Sequence, residues 1–186
     1  MKICCLASSF PRYKGDHYLL FVYEICKRLA KNNYVTVITP HDKETKSSEE
    51  MNGITIERFN YFFLKSLHRL AYGSGMAENV RNSLLAKIQV IPYLISFFLK
   101  AYKHVKNSDV IYAHVSVAGF VGVFLKKILN KPLIFHSYRI IKLNFINKFV
   151  LKNADHVIFI SNYLKDKSGI KYGSVIPLGV DIEKFK

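Results

Sequence analysis

The strongest constraint on the fold of this chain is a regular alternation between short β-branched runs and helical patterns. The first run, residues 2–7, is apolar without polar alternation, as expected of a strand buried on both faces. Further strands are predicted at residues 34–39, 54–59, 110–114, 132–136, 156–160 and 174–176. This alternation favours a single α/β, Rossmann-like domain whose mainly parallel sheet has helices on both faces.

Apolar residues at helical spacing predict the helices between these strands. The first follows the pattern of residues 19–29, and Asp16 is predicted to cap it. A long helix is predicted over residues 77–106, kinked or broken near Pro92. Later helices are predicted at residues 118–129 and 140–153, and a short one is predicted after a cap at Ser161.

Length and cysteine usage indicate one globular domain in a reducing compartment. The 186 residues are 50% hydrophobic, which suits one buried core and excludes a disordered chain. Cys4 and Cys5 are adjacent in a predicted strand and point to opposite faces, and Cys26 makes the count odd. We therefore expect reduced thiols that pack as small apolar side chains in a cytoplasmic protein.

No segment predicts a signal peptide or a membrane span. Met1 leads directly into the first strand, without a cleavage site. The longest uncharged apolar stretch, residues 88–99, is shorter than the roughly 20 residues that cross a bilayer. We expect the protein not to cross a membrane.

The chain carries a formal net charge of +15, and the charge is unevenly distributed. Between Glu78 and Asp155 the only acidic residue is Asp109, among many lysines and arginines. Such a surface attracts phosphates, nucleic acid or anionic lipid, although a solvated lysine surface explains the charge equally well. Nucleic-acid binding is disfavoured, because no zinc finger, helix-turn-helix or RNP-like aromatic motif is present.

The candidate binding residues follow from the expected sheet, because ligands of such folds bind at the carboxyl ends of the strands. The loop after the first strand has one glycine, Gly15, and not the three of a dinucleotide fold. A glycine there still lets a phosphate or sugar approach backbone N–H groups at a helix start.

Two histidines, His114 and His136, end successive predicted strands and should converge on one rim. A neutral imidazole there can bind a hydroxyl or act as a general base, although a lone histidine is usually structural. No carboxylate pair, metal-ligand spacing or serine–histidine–aspartate arrangement is apparent, so the sequence predicts neither hydrolase chemistry nor a metal site.

Aromatic residues mix with cations in residues 61–72, and the next predicted helix carries a narrow polar stripe on an apolar surface. That stripe comprises Gln89, Tyr93, Ser96, Lys100 and Lys103. Packing against the sheet explains the apolar surface, and so does contact with a membrane interface. Under the second interpretation the candidate membrane-surface residues are Lys65, Arg69, Lys100 and Lys103.

The most specific pattern lies near the end of the chain. Residues 153–161 read NADHVIFIS, and residues 175–185 read VIPLGVDIEKF. Together they resemble a signature of family 4 glycosyltransferases. Residues 8–40 are similar to that family's opening strand, glycine loop and first helix. The resemblance covers essentially the whole chain, and its short motifs occur in the family's order and spacing.

The resemblance implies a GT-B fold, in which two Rossmann-like domains face each other across a cleft. The amino-terminal domain of this family binds the acceptor, and the carboxyl-terminal domain binds most of the nucleotide sugar. Transfer retains the anomeric configuration and needs no metal or other cofactor. Residues 1–186 match the amino-terminal, acceptor-binding domain alone, and the donor domain is expected to be absent from this chain.

The resemblance also implies roles for individual residues. Gly15, with Asp16 and His17, corresponds to the loop near the donor phosphates and the acceptor. His114 corresponds to the histidine that reaches the reacting sugar, which makes it the candidate catalytic residue.

Two further matches concern acceptor binding. His136 corresponds to a histidine that is usually followed by glycine, where this chain has Ser137. Tyr72 and Gly73 correspond to the loop after the third strand, which commonly contacts the acceptor.

Two departures from the family limit the expected activity. Few residues separate His136 from the helix predicted at residue 140, where relatives usually have a longer segment. The basic residues and paired glutamates that hold the donor belong to the half expected to be absent. Without them the charge developing on the leaving phosphate is not stabilised, so we expect little activity from this chain alone.

Two functions remain open from the sequence. The first is the acceptor-binding half of a retaining glycosyltransferase, acting on a glycan or lipid-linked acceptor, peripheral at the inner face of the cell membrane. The alternative is a non-catalytic binding or partner subunit. In either case a donor domain would join in cis or in trans, and an exposed docking flank would favour dimers.

Overall fold

A computed structural model describes residues 1–13, 15–43, 45–138 and 145–179. Its strands are β1 (Lys2–Ala7), β2 (Tyr34–Pro40), β3 (Ser48–Met51), β4 (Ile54–Phe59), β5 (Val110–His114), β6 (Leu133–Ser137), β7 (His156–Phe159) and β8 (Ser174–Val175). Its α-helices are α1 (Leu20–Leu29), α2 (Met76–Asn82), α3 (Leu84–Val105), α4 (Ser116–Leu129), α5 (Phe145–Asn153) and α6 (Asn162–Ser168). A short 3-10 helix lies at Lys65–Leu67. The α/β fold predicted from the sequence is confirmed.

The strands form one eight-stranded sheet in the order β3-β4-β2-β1-β5-β6-β7-β8. All neighbours pair in parallel except β3 and β4, which are antiparallel. Strand β3 was not predicted, because its sequence SEEM carries the polar residues of an edge strand and no apolar run.

Strand β1 lies between β2 and β5 and is buried on both faces. Cys4 packs into the core under α3 and α4, and Cys5 packs into the core under α1. The three cysteines are buried and free, and the predicted opposite orientation of Cys4 and Cys5 is confirmed. One strand therefore carries both hydrophobic cores.

The long helix predicted over residues 77–106 is two helices, and the chain does not break near Pro92. The chain breaks at Ser83, which has extended backbone and caps α3 by accepting a hydrogen bond from the Ala86 N–H. Pro92 lies inside α3. The carbonyl that loses its partner there belongs to Ile88, an exposed residue, so water can replace the missing N–H.

The first helix is also capped differently from the prediction. Helix α1 begins at Leu20 after Leu19, whose left-handed backbone (φ 45°) and side chain provide no cap hydrogen bond. Asp16 binds Arg12 instead. The predicted cap at Ser161 is confirmed, since its hydroxyl accepts from the Leu164 N–H. The helix predicted at residues 140–153 is described from Phe145, and residues 139–144 lie outside the described residues.

Close packing of α4 against β6 and α5 depends on Gly119. A Cβ there would lie 2.6 Å from Cγ1 of Val150 and 2.9 Å from Cε2 of Phe135. We predict that Gly119→Ala lowers the free energy of unfolding by roughly 1–3 kcal/mol, because the clash outweighs alanine's higher helix propensity. Urea unfolding measures the change. Ile128→Ala, on the exposed side of α4, is the control, and an equal loss in both variants would contradict the packing argument.

Candidate functional site

The candidate site lies at the carboxyl ends of the strands, at the point where the strand order switches from one half of the sheet to the other. Strands β2 and β4 lie on one side of β1, and β5 to β8 lie on the other. Ala7 at the end of β1 is the register partner of His114, which in turn is the partner of His136. Folds of this type bind ligands at such a switch point. The predicted histidines therefore lie at the expected position.

His114 and His136 form a buried pair, with ring centroids 5.9 Å apart. Nδ1 of His114 is hydrogen-bonded to the Tyr138 hydroxyl at 2.5 Å, and Nδ1 of His136 to the Tyr112 hydroxyl at 2.6 Å. Nε2 of each ring is buried and has no hydrogen-bond partner among the described residues. A buried polar atom without a partner is rare and costs free energy, so these two nitrogens are available for a hydrogen bond to a ligand or to water.

Both imidazoles are held in the neutral form. Burial lowers the pKa of His114 well below its ordinary value, and the neighbouring His136 lowers it further. Burial lowers the pKa of His136 to about 4. A neutral ring offers one N–H donor and one acceptor nitrogen, which is the combination that binds a sugar hydroxyl.

Two tyrosines hold the pair, and sequence reasoning missed them. The ring of Tyr138 stacks on His136 with centroids 4.2 Å apart and contacts Phe21 of α1. Tyr112 lies two residues before His114 on the same face of β5. The spacing of Tyr112 was a usable signal, since alternate residues of a strand share a face. Tyr138 follows β6, and nothing in the sequence places it on the histidines.

The residue after His114 has a strained backbone. Val115 adopts φ 63° and ψ 162°, a region that β-branched residues avoid. It is the N-cap of α4 and supplies no side-chain cap, and the buried Ser116 hydroxyl has no partner among the described residues. Backbone strain of this kind persists where surrounding structure imposes it, often at functional sites. Here it places the start of α4 directly beside the histidine pair.

Ion pairs hold the loop after β1 in its conformation, and Asp16 is one of the carboxylates that form them. Arg12 Nε lies 2.7 Å from the Asp16 carboxylate, and its Nη1 lies 3.0 Å from that of Asp42. Gly15 has φ 96° and open space around its Cα, and His17 is exposed. Gly15 and His17 are therefore accessible to a ligand, whereas the buried Asp16 shapes the loop.

Tyr72 and Gly73 join this loop to the segment after β4. The Tyr18 hydroxyl donates to the Gly73 carbonyl at 2.5 Å and accepts from the Gly73 N–H at 2.7 Å. The Tyr72 hydroxyl lies 3.2 Å from the carbonyls of both Phe10 and Pro40. The structure thus brings the two predicted loops together, with Tyr72 as a half-buried tie between strand ends and Gly73 exposed beside them.

Helix α3 buries part of the predicted polar stripe and exposes a row of apolar residues. Gln89 and Tyr93 of the predicted polar stripe are buried. The Gln89 amide donates to the Leu67 carbonyl and accepts from the Arg69 N–H. The Tyr93 hydroxyl donates to the Ser8 carbonyl. The outward residues, here called the outer row, are more than half exposed: Leu84, Ile88, Ile91, Ile95 and Leu99.

The predicted membrane-surface cations divide into two groups. Lys65, Arg69 and Lys103 are exposed. Lys100 is 2.7 Å from the Glu57 carboxylate and is therefore already paired within the protein. Among the described residues, α3 is the one helix whose length and mean hydropathy of 1.5 would suit a membrane span, with 28% of that stretch buried. It packs on the sheet through Tyr93 and Phe97, so length and composition do not decide between a span and a surface helix.

A cavity of about 370 Å³ lies at the amino ends of the strands, on the side of the sheet away from the histidine pair. Its lining includes Lys2, Tyr34, Lys106 and Asp109, at the amino ends of β1, β2 and β5. That edge is not where parallel α/β sheets bind ligands. The histidine pair therefore remains the candidate site.

The ion pairs of Arg12 predict an acid-sensitive contribution to stability. Burial acts to raise the pKa of Asp16, but hydrogen bonds and charge from Arg12 overcome it, and the net pKa is lowered. A carboxylate with a lowered pKa stabilises the fold above its unfolded-state pKa, near 4, and this contribution is lost as pH falls further. We predict that Asp16→Asn costs about 1–2 kcal/mol near pH 7.

Urea unfolding between about pH 7 and the pH range below 4 measures the difference in free energy of unfolding between Asp16→Asn and the unchanged protein. The difference should shrink as the pH falls through the range where carboxylates titrate. Asp166→Asn, at an exposed carboxylate of α6, is the control. A difference that stays constant with pH would show that Asp16 acts through packing and not through its charge.

Comparison with known proteins places this fold. No curated protein matches the sequence significantly. Sucrose-phosphate synthase from Thermosynechococcus elongatus aligns with a TM-score of 0.68 and 15% identity, covering 98% of this chain and 49% of the enzyme. HepE from Anabaena, solved in complex with UDP and glucose, aligns with a TM-score of 0.61 and 21% identity, covering 98% and 46%.

MurG from Acinetobacter baumannii aligns with a TM-score of 0.54 and 11% identity, covering 97% of this chain and 46% of that one. The chain thus spans about half the length of these GT-B proteins. At these identities the likeness shows the fold alone. The sequence model of Glycosyltransferase Family 4 matches residues 20–184, so this chain belongs to that family and has the fold of the amino-terminal half of a GT-B glycosyltransferase.

Proposed function

We propose that this chain is the acceptor-binding half of a retaining glycosyltransferase. It would help move a sugar from a nucleotide-sugar donor to a glycan or lipid-linked acceptor, without a metal or other cofactor in the transfer step. The observation that carries this proposal is the histidine pair at the switch point, where Nε2 of His114 and of His136 are buried without partners. Family membership supplies the reaction class.

The proposed transfer needs one bond to break and one to form at the same sugar carbon. The bond between the anomeric carbon and the diphosphate breaks, and the acceptor hydroxyl oxygen bonds to that carbon on the same face. The acceptor's proton passes to the departing phosphate oxygen. Neutral His114 would bind a hydroxyl of the transferred sugar, and His136 one of the acceptor, which holds the reacting atoms close together.

A second domain is part of the proposal. Arg12, in the loop after β1, is held by Asp16 and Asp42 and is therefore not available to a diphosphate. A donor domain, joined in cis or in trans, would supply the groups that stabilise charge on the leaving diphosphate. The chain alone would then bind acceptor and turn over little or no nucleotide sugar.

A chimera tests this division of labour. We predict that the 186-residue chain alone does not transfer sugar, and that fusing it to the carboxyl-terminal half of HepE restores transfer from UDP-glucose to a suitable glycan. In the chimera, His114→Ala should lower kcat/KM by roughly 10²-fold, since one hydrogen-bonding group to the reacting sugar is lost. Radiolabelled sugar incorporation measures the rate.

The control is His104→Ala, at the end of α3 away from the rim, which should leave the rate unchanged. Robust transfer by the chain alone would overturn the need for a donor domain. A folded chimera that binds acceptor but never transfers sugar would favour the alternative, a non-catalytic partner subunit.

We further propose that the domain works at the cytoplasmic face of a membrane. The outer row of α3 offers lipid a continuous apolar surface, and Phe63, in the segment between β4 and α2, is 81% exposed. Lys87 and Lys103, both exposed, flank the row by helical spacing. Aliphatic and aromatic residues bordered by lysines are typical of helices that lie in the membrane interface.

Vesicle sedimentation tests the membrane proposal. We predict tighter binding to vesicles that contain anionic lipid than to neutral ones, because the row is apolar and its border is basic. Ile91→Asp should weaken binding by roughly tenfold, since it places a charge within the apolar row that would contact the lipid. Ile128→Asp, exposed on α4, is the matched control. Equal binding to both vesicle types would contradict the electrostatic part, and an unaffected Ile91→Asp would exclude the outer row.

A further inference from the structure

Three soft or borderline metal ligands from three different elements meet behind the candidate site. Cys5 lies on β1, Cys26 on α1, and His114 at the end of β5. One ligand atom from each residue lies within 4.8 Å of the other two. All three residues are fully buried. No spacing pattern in the sequence indicates this cluster, because the sheet and not the local chain brings its members together.

The two thiols are close together. The Sγ atoms of Cys5 and Cys26 lie within 4.8 Å of each other, and both cysteines are free. Adjacent thiols that lose their protons together form a pair of thiolates, which bind soft cations strongly. The third cysteine, Cys4, points to the opposite face of β1 and packs in the other core. It provides a natural comparison at the neighbouring position.

The imidazole of His114 is prepared in the manner of a metal ligand. Its Nδ1 is held by the Tyr138 hydroxyl, which fixes the ring, and its Nε2 has no partner among the described residues. Histidines that bind metals generally use the other ring nitrogen for such an orienting hydrogen bond. The unpartnered Nε2 is thus the nitrogen available to a cation.

We propose that Cys5, Cys26 and His114 form a site for a soft d¹⁰ cation, Zn²⁺ or Cu⁺. Each thiol loses its proton to solvent and forms one metal–sulfur bond, and Nε2 forms a metal–nitrogen bond without a change in redox state. With Zn²⁺ the two thiolates balance the ion's charge. A neutral complex costs far less to bury than a charged one. Cu⁺ is the second arm, because thiolates also select that ion.

Binding of metal and binding of sugar would draw on the same Nε2 atom. The proposed transfer chemistry includes no metal, so an occupied cluster would exclude His114 from the sugar. The cluster itself does not rest on the proposed function, since its ligands are assigned by their own geometry. Failure of the metal test would leave the transferase proposal standing, and the reverse also holds.

Metal titration of the metal-free 186-residue chain under reducing conditions tests the site. Zn²⁺ and Cu⁺ are added separately in competition with a chromophoric chelator, and Co²⁺ reports thiolate ligation by its charge-transfer band. We expect one equivalent to bind. Cys5→Ala and Cys26→Ala should each weaken binding by at least roughly 100-fold, whereas Cys4→Ala should bind as the unchanged protein does.

A second measurement needs no variant and covers the case in which a substitution unfolds the chain. X-ray absorption of the Zn²⁺-loaded or Cu⁺-loaded protein should show two sulfur ligands and one nitrogen ligand, with Zn–S near 2.3 Å and Zn–N near 2.0–2.1 Å in the zinc arm. An absence of stoichiometric binding, ligation by oxygen and nitrogen alone, or full binding by Cys5→Ala would each overturn the proposal.

Discussion

The burial of β1 on both faces is the constraint on which the rest of the structure depends. Alternate residues of this one strand enter different cores, with Cys4 on the side of α3 and α4 and Cys5 on the side of α1. A strand in that position consists almost entirely of apolar residues. Its carboxyl end then fixes the switch point, because β2 and β5 pair with it along its length. The histidine pair and the Gly15 loop are both positioned from this strand.

The sequence predicted the strands of the sheet well, for a physical reason. Strands buried on both faces are short continuous apolar runs, and the parallel strands that carry His114 and His136 are of this kind. Strand β3 was missed because an edge strand needs no such run. The break at Ser83 was missed because proline was the expected helix breaker. Instead Pro92 lies within α3, and Ser83 caps the start of that helix.

Helix α3 shows what hydropathy alone does not determine. The helix is apolar around most of its surface, so its composition does not say which side faces the sheet. Gln89 and Tyr93 are buried because the Leu67 and Ser8 carbonyls accept their hydrogen bonds. Those partners are distant in the chain, and only the folded arrangement supplies them. In the same way Tyr138 and the thiols beside His114 reach the site through tertiary packing, which the sequence pattern does not reveal.

The outer row of α3 has a kinetic consequence if it binds a membrane in which the acceptor is also anchored. An enzyme and an acceptor that share a surface meet by lateral diffusion in two dimensions, and their effective concentration is set by the thin layer they occupy. Recognition of the acceptor headgroup can then be weak without limiting turnover. The loops tied by Tyr18 and Gly73 would then need to select an acceptor but not to hold it tightly, which would suit a domain that released each product into the lipid.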